Sequence, residues 1–232
     1  GCVTARDLEK FLSTPEGTII SPLRLAVASS MQRSWSRPLA TVAREFQIDR
    51  LLEHRREIVG RPSATVYALR ALALALGEDD RLACKLIGNR LVRPASLDLA
   101  FAVEVEDGVL TPVIQRVNTL DLTKLTSACH EITEQARKRS VTGANGPSVA
   151  TVSNYGTFGI RWATPIPLPG QGLILGLGSM RNAPDWNPAT KSWDRVREAE
   201  LTLPFDHRIA DGGVAARLLH HVAELLEHPN RL

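Results

Sequence analysis

Hydrophobic and polar positions along the chain change period several times, and the changes mark its elements. From Leu122 to Arg139 the apolar positions Leu122, Leu125, Cys129, Ile132 and Ala136 recur every three or four residues, which predicts a helix with one buried stripe. The same spacing of Val214, Leu218, Val222 and Leu225 predicts a final helix from Gly212 to about Leu226. TVYALRALALALG, Thr65 to Gly77, is apolar almost all round and predicts a buried helix. Further helices are expected over Val3–Leu12, with Thr4 as N-cap, over Pro22–Trp35, and from Asp49 to about Ile58. Short apolar runs predict strands at Thr41–Ile48, Lys85–Ile87, Leu97–Val105, Val109–Gln115, Ser148–Asn154, Leu173–Ser179 and Glu198–Asp206. Asp107-Gly108 reads as a hairpin turn between two of them. Helices and strands in this order predict one α/β domain with a mixed sheet.

Bulk properties narrow the field without naming a function. The chain has 232 residues, 44% hydrophobic and 23% charged, which suits a globular domain with a sizeable core. A formal charge of +3, with basic and acidic residues interleaved as in RLLEHRREI, gives no electrostatic argument for nucleic acid. No apolar run approaches the roughly 20 residues that cross a bilayer, so no membrane partner is expected. The three cysteines, Cys2, Cys84 and Cys129, match no zinc or redox spacing. Free thiols in a cytoplasmic setting are the simplest expectation, with Cys129 a small core residue and no metal site.

The candidate chemistry lies in FDHRIADGG, Phe205 to Gly213, between the last strand and the last helix. A neutral imidazole at His207 can take a proton from a thiol or hydroxyl near pH 7. Asp211, four residues on, can fix the loop and cap the helix, whose free N–H groups favour an anion, while Gly212 and Gly213 permit close backbone approach. The same residues also suit a plain polar turn and cap, and spacing alone does not decide between the two.

Longer stretches do discriminate. FDHRIADGG resembles the DHRxxDG signature of the acyltransferase subunits of 2-oxoacid dehydrogenase complexes. FAVEVEDGVLTPVI, TVSNYGTFGIRWATPIPLPGQGLILGLGSM and SPLRLAVASSM are similar to three further segments of that family, in the same order, from about Thr18 to the C-terminus. The resemblance implies a chloramphenicol-acetyltransferase-like fold over 19–232. It also implies a homotrimeric building block with sites between subunits, in which CoA and a dihydrolipoyl thiol meet. His207 would be the general base, Ser153 the oxyanion donor from a neighbouring subunit, and Arg24 a partner that pairs with Asp211. Acyl-CoA would be a substrate, and the lipoyl group would not be on this chain. Trp162, just beyond the serine-bearing turn, suits either a channel wall or an interface. Residues 1–12 resemble the end of a peripheral subunit-binding domain, and 13–18 form a short linker where the family has a longer one. Pro38-Leu39 stands where the family has Pro-His. Three functions remain open: acyl transfer between CoA and dihydrolipoamide, acetylation of a metabolite hydroxyl as in tetronate-type pathways, or a non-catalytic core scaffold.

Overall fold

A computed structural model describes residues 2–13, 17–105, 108–137 and 146–232. Residues 14–16 of the expected linker, Asp107 of the expected hairpin and the last two residues of the expected Leu122–Arg139 helix lie outside that range. The helices are α1 (Ala5–Leu12), α2 (Pro22–Trp35), α3 (Asp49–Glu57), α4 (Ala64–Glu78), α5 (Leu122–Arg137) and α6 (Gly212–Glu227). The strands are β1 (Leu39–Gln47), β2 (Lys85–Ile87), β3 (Arg90–Val92), β4 (Leu99–Phe101), β5 (Val103–Val105), β6 (Gly108–Leu110), β7 (Val113–Ile114), β8 (Ala150–Asn154), β9 (Leu173–Leu177), β10 (Arg181–Asn187) and β11 (Ser192–Asp206). Thr4 caps α1 as expected, in a reciprocal capping box with Asp7.

The main sheet runs β1-β11-β9-β8-β4-β7, with β10 pairing the outer half of β11. β8 lies parallel to β4 and β9, and the other pairings are antiparallel, so the sheet is mixed. Alternation along the strands divides its residues between two faces. Val152, Leu175, Leu201, Leu203 and Phe205 face a core shared with Leu69, Leu72 and Leu76 of α4 and Leu218 and Val222 of α6. α4 is buried on nearly every side, which explains its apolar circumference. Among the described residues, no helix is long and apolar enough to cross a membrane.

The second face is polar yet buried. Thr151, Thr202 and Asp206 lie there, each no more than 1% exposed. The connection 160–172 covers part of it. The Thr151 hydroxyl donates to Gln171 Oε1 at 2.9 Å, and Gln171 Nε2 donates to the Ser148 hydroxyl at 2.7 Å. Buried polar side chains need such partners, because an unmade hydrogen bond costs about 1–3 kcal/mol.

Candidate active site

His207 follows the last residue of β11 and is exposed. Its backbone N–H donates to Pro38 O at 2.9 Å, which ties it to the start of β1. The imidazole packs against the Phe205 ring, centroids 5.4 Å apart. Within one chain, among the described residues, the imidazole makes no side-chain hydrogen bond. Its position is therefore set by the backbone that carries it.

That backbone is held by Asp206. The Asp206 carboxylate accepts from Arg208 Nε at 2.9 Å, from Arg208 Nη2 at 2.7 Å and from the Arg208 backbone N–H at 3.1 Å. Arg37 Nη1 lies 3.7 Å from the same carboxylate. Burial pushes the Asp206 carboxyl up. The hydrogen bonds from Arg208 and the charges of Arg208 and Arg37 outweigh that and hold it below the usual carboxylate range.

Asp211 caps α6 as expected, its Oδ1 accepting from Val214 N at 3.0 Å. That bond is the largest influence on its carboxyl and lowers its pKa; slight burial opposes it, and Gly213 N–H, Arg217 and Arg81 add to the lowering. Two expectations need correction within the single chain. Arg24 is exposed on α2 and forms no ion pair with Asp211; the arginine that reaches the histidine loop is Arg37, and it binds Asp206. Gly212 begins α6 with nothing within 4 Å of a Cβ built on it, so no close approach requires a glycine there. Asp206 stood beside His207 in the sequence, but nothing local connected it to Arg37.

Ser153 lies near the end of β8, half-buried, on the polar face. In register it pairs with Gly176, which pairs with Thr202, so these three positions share one row. Tyr155, two residues on, lays its ring over Gly176 and places its hydroxyl 2.9 Å from the Thr202 hydroxyl. The same register separates Ser153 from His207. Phe205 pairs with Leu173 and Leu173 with Ala150, so His207 lies beyond the level of Ala150, at the opposite end of the sheet from Ser153. Five residues along the strand direction is about 17 Å, and two strand spacings add about 10 Å across it. The two groups of one chain are thus roughly 20 Å apart, whereas each must come within about 3 Å of its target atom.

A mixed sheet with α4 and α6 packed on one face places the chain among α/β folds. A chloramphenicol acetyltransferase shares that fold at a TM-score of 0.51 and 12% identity. Residues 13–232 match the family of 2-oxoacid dehydrogenases acyltransferase (catalytic domain), and the chain belongs to that family. The dihydrolipoyllysine-residue acetyltransferase component of the pyruvate dehydrogenase complex of Zymomonas mobilis is 28% identical over 226 residues, covering 93% of this chain and 51% of that relative. The chain thus spans about half the length of the relative it matches. The dihydrolipoamide acetyltransferase of Azotobacter vinelandii, solved to examine a serine, a histidine and an asparagine in its catalytic mechanism, superposes with a TM-score of 0.87 at 26% identity, covering 98% of this chain and 97% of that one. The cubic core of a pyruvate dehydrogenase multienzyme complex superposes equally well, with a TM-score of 0.87, 27% identity and the same coverage.

Proposed function

We propose that this domain transfers acyl groups between CoA and a thiol acceptor, with His207 as general base and Ser153 of a second copy as oxyanion donor. One observation carries the reading: strand register sets His207 and Ser153 of one chain at opposite ends of the sheet, roughly 20 Å apart, so two copies are needed to bring them to one carbonyl. A likeness to a solved cubic core supports such an assembly, and a trimer is the smallest unit proposed. The acceptor proposed is a dihydrolipoyl thiol carried outside residues 1–232.

The steps balance as a simple exchange. The imidazole of His207 takes the proton of the attacking S–H. The sulfur adds to the thioester carbonyl, and its π electrons move to oxygen. The Ser153 hydroxyl donates to that oxyanion, a contribution of about 2.7–4 kcal/mol for a donor of this kind. Collapse expels the other thiolate, which recovers the proton from the imidazolium. Asp211 organises the loop and does not take the proton. In the Azotobacter enzyme the histidine and asparagine examined are four positions apart, as His207 and Asp211 are here. Asparagine caps a helix as well as aspartate does but cannot accept that proton.

The test is acyl transfer from acetyl-CoA to dihydrolipoamide, with a panel of hydroxyl acceptors in parallel and His207→Ala as control. Turnover with dihydrolipoamide that disappears in the variant is expected. Turnover with hydroxyls alone would move the protein to metabolite acetylation. Equal inertness of parent and variant with every donor would leave a scaffold role.

A further inference from the structure

We infer that Arg37 is a positioning residue for His207, an inference that rests on the base role proposed above. Arg37 lies between α2 and β1 with its side chain 10% exposed. Its guanidinium meets four backbone carbonyls: Nη1 donates to Gln171 O at 2.6 Å, Nη2 to Pro167 O and Leu168 O at 3.2 Å, and Nε to Ser34 O at 3.3 Å. Nη1 also faces the Asp206 carboxylate. One side chain thus joins the end of α2, the connection that covers the polar face, and the end of β11.

The link to His207 is double. Pro38, the residue after Arg37, accepts the His207 N–H, and Asp206, the residue before His207, is the counter-ion of Arg37. The dipeptides Arg37-Pro38 and Asp206-His207 are therefore clasped once by backbone and once by charge. Leu39 and Asp206 are the last paired residues of β1 and β11, so the clasp closes the ladder from which the histidine emerges. Because no hydrogen bond among the described residues orients the imidazole, the clasp decides where its Cα stands. The guanidinium fork suits this place, since a lysine ammonium offers three donors from a single atom, whereas Arg37 reaches four carbonyls and a carboxylate from three separate nitrogens. Arg208 holds the same carboxylate but, among the described residues, bonds no other element, so it does not supply that cross-brace.

A plain structural staple would also explain the contacts, and the test separates the two. Arg37→Lys is made in the parent and in the His207→Ala background, and kcat, KM for acetyl-CoA and the thermal midpoint are measured for each. In the parent, kcat is expected to fall about 10–100-fold with KM within about twofold, the scale of a base displaced by a fraction of an ångström to an ångström. In the His207→Ala background the residual turnover should not fall further. Should Arg37→Lys fail to fold, Asp206→Asn removes the charge link while leaving the carbonyl contacts, and the same background dependence is expected. Equal fold-losses in both backgrounds, or parental kcat for Arg37→Lys, would overturn the inference and leave the base assignment standing. Full turnover by His207→Ala would instead remove the base assignment, and the inference with it.

Discussion

Two variants, each inactive alone, should restore each other when copies mix. In one chain His207 and Ser153 stand roughly 20 Å apart by strand register, so a working site takes the histidine from one copy and the serine from another. Ser153→Ala should lower kcat by about 10²–10³-fold through loss of the oxyanion donor. His207→Ala should cost about 10²–10⁴-fold. After random exchange of equal amounts, about one quarter of sites combine an intact histidine with an intact serine, as symmetry requires for any interface formed from two different patches. Activity should then rise to about 25% of the parent, roughly 25–250-fold above Ser153→Ala alone. The assay is acetyl-CoA turnover after co-refolding of differently tagged variants, with mixed species verified by tag capture. Mixed oligomers no more active than the average of their parents would refute the two-copy site.

Other consequences of the packing are open to measurement. A Cβ at Gly176 would collide with the Thr202 hydroxyl and come within 2.7 Å of Tyr155 Cε1, so Gly176→Ala should cost about 1–3 kcal/mol in a denaturant titration. Asp206 titrates below its ordinary value of 3.8 in the fold, so its ion pairs stabilise above that pH and are lost as pH falls through the lower folded value. Asp206→Asn should therefore lose about 1.5–3 kcal/mol at neutral pH, and the difference from the parent should shrink in acid melts below the ordinary carboxylate value. Burial pushes the Cys129 thiol up to about 12, and burial with help from Asp80 raises Cys84. A thiol reagent at pH 8 should thus react quickly with exposed Cys2 and reach the two buried thiols only on unfolding.

Periodicity in the sequence located α5 and α6 nearly residue for residue, α2 has the bounds expected of it, and Thr4 and Asp211 announced the caps they form. These are short-range facts: a helix face repeats every few residues, and a cap bonds within three. β3 escaped the reading because Arg90–Val92 is exposed throughout, pairs only with neighbouring β2, and carries no alternation of buried and exposed positions. β11 proved six residues longer than its apolar run, since its outer half is held by β10 and not by the core. Gly108 of the expected Asp107-Gly108 turn is the first residue of β6 and pairs with Val105, while Asp107 lies outside the described residues.

The family was legible in FDHRIADGG and its companion segments, and the comparisons bear out that resemblance over 13–232. The relation among the candidate site residues was not legible. Strand order and register set Ser153 and His207 at opposite ends of the sheet, and both depend on pairings between residues about 23 to 32 positions apart. The partner of the histidine loop came from farther still: Arg37 meets Asp206 from the other end of the sheet's sequence, in the link between α2 and β1, where sequence reasoning pointed to Arg24 and Asp211. Local sequence determined which residues form each element and which could carry chemistry. Only the tertiary structure decided which of them meet, because an ion pair or a ladder is specified by closing long loops onto a common core, and no short window records that closure.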